Sequence, residues 1–138
     1  MKKLLLAAGL ITASIAHADT QRLAIHVDEN DPKVMNLALN NAQNVKAYYS
    51  AQGDDVIVEL VAYGPGLNMY LENSPVKDRL ATLGMDDSFK FSACNNTYTK
   101  MSKKAGKDLV LLSEAEKVPS GVVRLMELQK EGYAYLRP

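Results

Sequence analysis

Asp55-Val56-Ile57-Val58-Glu59-Leu60-Val61-Ala62-Tyr63 is the stretch that decides the fold of this chain. It is almost continuously apolar and rich in valine, and Gly64-Pro65-Gly66 interrupts the chain directly after it. A strand without polar alternation is buried on both faces, which is typical of a parallel sheet that carries helices on its faces. The stretch therefore predicts an interior strand of a parallel sheet.

Further strands and helices alternate along the rest of the chain. The other strands are predicted at residues 23–28, 88–93 and 133–137. The predicted helices are one that Asp31 caps and Gly53 ends, a short one at residues 67–71, one that Ser74-Pro75 begins and Gly84 ends, one at residues 95–104 that Gly106 ends, and one that Ser120 caps and Gly132 ends. We expect one three-layer α/β/α domain with a mostly parallel sheet of about five strands.

Two segments compete for the remaining strand, which lies between Lys107 and Pro119. Asp108-Leu109-Val110-Leu111-Leu112 has the composition of a strand, whereas Glu116-Lys117-Val118 leads directly into the last helix. Hydrophobic periodicity does not choose between them, because short apolar runs carry little periodic signal.

The first 18 residues have the pattern of a secretory signal peptide. Lys2 and Lys3 form a basic start, residues 4–15 are mostly apolar, and Ala16-His17-Ala18 is an A-x-A cleavage site. The apolar run is too short to span a bilayer. We therefore expect cleavage after Ala18, a mature chain of residues 19–138 without membrane attachment, and a location in the periplasm of a Gram-negative cell.

The composition excludes several classes of protein. Without Lys2 and Lys3, the 16 basic residues of the full chain fall to 14 against 16 acidic ones, so the mature chain has a net charge of −2. This balance, with no basic stripe, argues against nucleic acid as a partner. A single cysteine excludes an internal disulfide framework.

Candidate site residues follow the predicted strands, because ligands of open α/β sheets bind beyond the carboxyl ends of the strands. Cys94 is the only strong nucleophile there, and it stands where a strand runs into a helix, whose N-terminal N–H groups favour a thiolate. The candidate binding residues are Asp28, Asn30, Tyr63, Gly64, Gly66, Asn68, Asn95, Asn96, Thr97 and Ser120.

Each of these signals has a simpler structural interpretation. Cys94 is equally well explained as a small buried core residue, and Gly64-Pro65-Gly66 is better explained as a tight turn than as a ligand loop. His26 is better explained as a hydrogen-bonded structural residue than as a base. Glu59 is a possible buried carboxylate, which we expect near an edge of the helix layer or paired with a lysine. One histidine and one cysteine do not make a zinc site, and no dinucleotide motif is present, so we expect no metal and no cofactor.

Four segments together resemble the DsrE/DsrF-like family. They are His26-Val27-Asp28, the end of the valine-rich strand with Tyr63-Gly64-Pro65-Gly66-Leu67, Ala93-Cys94-Asn95-Asn96-Thr97, and the C-terminal part from Val118-Pro119-Ser120-Gly121 to Pro138. The resemblance covers nearly the whole mature chain. It implies a five-stranded parallel sheet between helices, with a strand near Glu116 to Val118, assembly into homotrimers, hexamers or related rings, and sulfur relay with a persulfide on the residue equivalent to Cys94. Characterised relatives are cytoplasmic, whereas this chain has an export signal.

Two functions from different classes follow. The first is a periplasmic sulfur-handling protein that carries sulfane sulfur as a persulfide on Cys94 and exchanges it with a donor or acceptor protein or a small thiol. Such a protein is a carrier, similar to a sulfurtransferase, more than a turnover enzyme. The second is a non-catalytic oligomeric module that binds a small molecule or a protein, with Cys94 only as a packed residue.

Overall fold

The computed structural model describes residues 18–138. The predicted signal peptide, apart from its last residue Ala18, lies outside the described residues. Within residues 18–138, no helix combines the length and the apolar composition that crossing a membrane requires.

Strands and helices alternate along the described chain. In chain order the elements are β1 (Thr20–Val27), α1 (Pro32–Ser50), β2 (Asp55–Ala62), a 3-10 helix (Gly64–Tyr70), α2 (Lys77–Leu83), β3 (Phe89–Cys94), α3 (Asn95–Ala105), β4 (Ala115–Val118), α4 (Gly121–Lys130) and β5 (Ala134–Leu136). All five strands are parallel, in the order β4-β3-β2-β1-β5. The predicted α/β/α fold is confirmed, with the valine-rich stretch as the central strand.

The strand order distributes the helices unequally over the two faces of the sheet. From β1 to β4 each new strand is added beside the previous one on the same side of the sheet. Right-handed crossovers therefore place α1, α2 and α3 on one face, called the first face here. The return from β4 to β5 places α4 alone on the second face. The core of the first face is therefore large, whereas that of the second face consists of Ala24, Val61, Leu125, Leu128 and Tyr133. Beside α4, the second face of β3 and β4 stays partly open.

Local structure decides the strand position that the sequence left open and corrects the expected start of one helix. The segment after α3 forms its strand at Ala115–Val118, the second of the two candidates, whereas Leu111 makes only an isolated antiparallel bridge to Leu71. Helix α2 begins at Lys77 and not at Ser74-Pro75, because the Ser74 hydroxyl accepts the N–H of Val76 at 3.3 Å and closes a turn before the helix.

The helix caps differ in how their side chains act. Asp31 caps α1 as predicted, since its carboxylate accepts the Lys33 N–H at 2.8 Å. Ser120 occupies the N-cap position of α4, but its side chain makes no capping hydrogen bond. The backbone N–H groups at the start of α4 are therefore not satisfied by this serine and are open to another acceptor.

Glu59 joins α4 to the middle of the sheet. Glu59 is 2% exposed in the central strand, and the expectation of a lysine partner is wrong, because its counter-charge is Arg124 of α4. Arg124 Nε and Nη2 donate to the two carboxylate oxygens at 2.7 and 2.8 Å, and Ser92 Oγ donates at 2.6 Å. Burial acts to raise the pKa of Glu59, but the bonds from Arg124 and Ser92 outweigh it and hold the pKa below its usual value.

Candidate functional site

Cys94 is the last residue of β3 and the N-cap of α3, and its side chain points to the second face of the sheet, where α4 begins. The backbone N–H groups of Asn96 and Thr97, from α3, and of Gly121, from α4, lie near its sulfur together with the Thr97 hydroxyl, and all of them act to lower the pKa of the thiol. The Cys94 side chain makes no capping hydrogen bond to α3. Burial acts to raise the pKa of the thiol, but these nearby donor groups together outweigh it, so the pKa lies below its ordinary value. Two helix N-termini thus meet at one sulfur atom, an arrangement that favours an anion.

The Thr97 hydroxyl is oriented by the loop after β2. Its oxygen accepts the Gly64 N–H at 2.9 Å, and Gly64 has a φ of 55°, which glycine adopts without strain. With its acceptor lone pair used by Gly64, the hydroxyl is free to direct its hydrogen at Cys94. The glycine therefore contributes to the site by orienting a hydroxyl group.

Gly121 lets α4 approach the sulfur closely. A Cβ atom at this position would lie 2.8 Å from Cδ1 of Tyr63 and 3.3 Å from Cβ of Cys94. Distances this short leave no room for a side chain, so only glycine places its N–H against the thiol. The sequence places Gly121 next to the candidate Ser120 without marking it as a site residue, because its role depends on the approach of α4 to β3.

Cys94 itself is 4% exposed in the single chain. The Tyr63 ring and the first turn of α4 lie beside it, since a Cβ on Gly121 would be 2.8 Å from Cδ1 of Tyr63 and 3.3 Å from Cβ of Cys94, and backbone N–H groups and the Thr97 hydroxyl lie near the sulfur. A thiol in such surroundings differs from a cysteine packed as a small hydrophobic residue, whose pKa is raised by apolar burial. Tyr63, Asn95, Thr97 and Ser120, which lie around it, are all partly exposed.

His26 forms a second polar group on the same face, beside Tyr63. Its Nδ1 lies 2.7 Å from the Tyr135 hydroxyl, and its ring centroid lies 4.5 Å from that of Tyr63. Nε2 is buried and has no hydrogen-bond partner within the described part of the chain. It lacks a partner whether the tautomer makes it a donor or an acceptor. Burial lowers the pKa of His26, against the opposing effect of Asp28, so the ring is neutral near pH 7.

The C-terminal residues complete this edge of the sheet. Arg137 Nε donates to Asp28 at 3.0 Å and Arg137 Nη2 to Glu29 at 3.3 Å. Neither Tyr135 nor Arg137 was a candidate from the sequence, since their position beside His26 and Asp28 depends on β5 pairing with β1.

The other candidates have structural contacts or stand apart from the sulfur. A Cβ on Gly66 would lie 2.1 Å from the carbonyl oxygen of Val27, so this glycine allows the 3-10 helix to pack on β1. The Asn68 amide donates to the Pro65 carbonyl at 2.8 Å within the turn. Asn30 is exposed in the loop before α1. The predicted residues that lie around the thiol are therefore Tyr63, Asn95, Asn96, Thr97 and Ser120, with Gly64 one contact away through Thr97.

A cleft of about 500 Å³ lies on the second face, between α4 and the strands β3 and β4. Its lining residues are Glu59, Lys90, Phe91, Ser92, Glu114, Glu116, Val118, Pro119, Ser120, Val123, Arg124 and Glu127. Among residues 18–138, no group of three or more His, Cys, Asp or Glu side chains is placed to hold a metal ion.

Comparisons with known proteins give one informative relative. No protein-family model matches the chain, and a search of curated proteins gives no match. Among solved structures, the protein of unknown function MTH1491 from Methanobacterium thermoautotrophicum is similar to it, with a TM-score of 0.71, 31% sequence identity, and coverage of 86% of this chain and 99% of that one. This chain belongs to the same protein family as MTH1491.

Proposed function

We propose that this protein is a periplasmic sulfur carrier that holds sulfane sulfur as a persulfide on Cys94. The observation that carries the proposal is the meeting of the α3 and α4 N-termini at the sulfur. Both helices begin beside Cys94, and both dipoles place their positive ends there. The thiolate and the persulfide anion are the two species that such a site stabilises.

Sulfur transfer at this site is an exchange without net oxidation. The Cys94 thiolate attacks the outer sulfur of a persulfide R–S–S⁻, the S–S bond of the donor breaks, and R–S⁻ leaves with the bonding electron pair. Cys94 then carries the outer sulfur as a persulfide anion. An acceptor thiolate attacks that sulfur in the same way and returns Cys94 to the thiolate.

The resemblance to the DsrE/DsrF-like family supports this function, since its characterised members relay sulfur as a persulfide. The same resemblance supports assembly into a homotrimer or hexamer. The signal-peptide pattern of residues 1–18 supports a periplasmic location. The donor or acceptor is then a protein thiol or a small thiol of that compartment.

Intact mass spectrometry tests the carrier function. Purified mature protein is incubated with inorganic polysulfide, and the wild type is expected to gain about 32 Da, the mass of one sulfur atom, which dithiothreitol removes. Cys94→Ala is the comparison, and it should gain nothing. Equal behaviour of the two proteins would rule out a persulfide on Cys94.

A binding module without thiol chemistry is the second candidate, and the 4% exposure of Cys94 favours it. It predicts that Cys94 in the native protein reacts with iodoacetamide only as fast as the protein unfolds. The carrier predicts native alkylation that is much faster than unfolding. Comparing the alkylation rate with the unfolding rate, measured under the same conditions, separates the two functions.

A further inference from the structure

The cleft between α4 and the strands β3 and β4 is acidic, and two of its carboxylates have no counter-charge. Four glutamates line the cleft, against Lys90 and Arg124. Arg124 binds the buried Glu59, whereas the ion pairs found within residues 18–138 include none with Glu114 or Glu116. The lining therefore has a net negative charge that basic side chains from outside the cleft would neutralise.

Apolar side chains lie beside these carboxylates. Val118, Pro119 and Val123 line the cleft, and Val123 is 47% exposed. Met126, one turn further along α4, is 54% exposed. Apolar surface next to carboxylates suits lysine side chains, because a lysine packs its methylene groups on apolar atoms and keeps its ammonium group for a polar or charged partner.

Helix α3 of the same chain presents such side chains. It contains Lys100, Lys103 and Lys104 and no acidic residue, and all three lysines are exposed. None of them takes part in an ion pair in the part of the chain that the structure describes. Lys100 and Lys104 are four residues apart on one face of the helix, about 6 Å along its axis. Glu114 and Glu116 are two residues apart, at most about 7 Å along the chain, so the two pairs match in spacing.

The positions of α3 and the cleft mean that only a second copy can bring the two together. Helix α3 covers the first face of the sheet, whereas the cleft opens on the second face. A contact between two different surfaces of the same protein is heterologous: it joins copies head to tail and forms a ring where the rotation closes.

We propose that α3 of one copy docks in the cleft of a second copy, with Lys100 and Lys104 at Glu114 and Glu116. The lysine methylene groups pack on the apolar side chains of the cleft. The inference goes beyond the proposed function, because it involves no sulfur chemistry and names the surfaces through which copies of this chain assemble. Since the contact is largely electrostatic and partly exposed to solvent, salt weakens it.

Sedimentation velocity of the mature protein at about 0.05 M and about 0.5 M salt measures this assembly. The wild type should be oligomeric at low salt and shift toward the monomer at high salt. Glu114→Lys/Glu116→Lys in the cleft and Lys100→Glu/Lys104→Glu in α3 should each raise the dissociation constant at least about tenfold, because attraction becomes repulsion. Glu72→Lys/Asp78→Lys makes the same change of charge at exposed positions outside the cleft and should assemble as the wild type does.

A variant that combines the four cleft and α3 substitutions tests whether the two surfaces are partners. Its cleft is basic and its α3 is acidic, so the attraction is restored with the charges exchanged, and assembly should return. A reversal variant that dissociated only because it was misfolded would not recover in this way. The proposal is overturned by a wild type that is monomeric at low salt, by reversal variants that assemble as the wild type does, or by a combined variant that stays dissociated.

Discussion

At the scale of single residues, the state of the Cys94 thiol depends on a few neighbouring polar groups. Thr97 joins the loop after β2 to Cys94, because its oxygen accepts the Gly64 N–H while its hydrogen is free for the sulfur. Gly121 brings the α4 N-terminus to the same atom. Removing either group is expected to change the thiol more than the fold.

Replacing Thr97 with valine tests the hydroxyl contact. Thr97→Val keeps the side-chain shape and removes the hydroxyl group that acts to lower the pKa of Cys94, so the pKa of the thiol should rise. The measurement is the rate of iodoacetamide alkylation as a function of pH, whose midpoint should move to higher pH. Thr99→Val, an exposed position on the same helix, is the control and should leave the midpoint unchanged. An unshifted midpoint in Thr97→Val would show that the hydroxyl does not stabilise the thiolate.

At the scale of secondary-structure elements, α4 is the only helix of residues 18–138 on its face of the sheet, and a small apolar core and one buried ion pair hold it there. Leu125 and Leu128 pack on Ala24 and Val61, and Arg124 binds Glu59. Because the N-terminus of α4 supplies the Gly121 amide to Cys94, the position of the helix and the state of the thiol are coupled through this pair.

Truncating Arg124 is expected to destabilise the protein strongly. Arg124→Leu leaves the Glu59 carboxylate buried without its counter-charge, and such a change costs about 3–5 kcal/mol of the free energy of unfolding. The double variant Glu59→Leu/Arg124→Leu removes both charges and should be more stable than the single variant. Chemical denaturation of the three proteins measures both differences, and a single variant as stable as the wild type would contradict the role of the pair.

At the scale of the whole molecule, stability should fall below neutral pH, and two groups on the second face contribute. The pKa of His26 is lowered in the folded state, chiefly by burial, so the unfolded chain takes up this proton more readily. This loss of stability begins as the pH falls through the ordinary value of 6.5. The pKa of Glu59 is also lowered, so its stabilising effect is present above its ordinary value of 4.5 and is lost in more acidic solution.

Thermal unfolding of the wild type and His26→Gln at about pH 7.5 and about pH 5.5 measures the histidine contribution, because the other titratable groups, including Cys94, are common to the two proteins. The melting temperature of the wild type should decrease more from the higher to the lower pH than that of His26→Gln. Asp28, Arg137, Tyr63 and Tyr135 surround the ring and stay the same in both proteins. An equal decrease in melting temperature in both proteins would mean that the pKa of His26 is not lowered by folding.

Much of the fold follows from local signals in the sequence. Valine-rich runs, the Asp31 cap and the glycine stops mark elements because strand burial and helix capping depend on neighbouring residues. The same signals place Cys94 at the junction of a strand and a helix. They do not distinguish residues 108–112 from Ala115–Val118 as the fourth strand, because pairing with β3 decides that choice.

The sequence by itself determined the alternation of strands and helices, the parallel sheet and the place of the cysteine at its carboxyl edge, since each of these depends on a short stretch of chain. Only the tertiary structure decided which groups meet there. Arg124 reaches Glu59 across 65 residues, and Tyr135 reaches His26 across 109. Gly121 meets Cys94 because the return of the chain to β5 lays α4 alone across the second face. Such contacts depend on strand order and helix crossing, which no local pattern encodes.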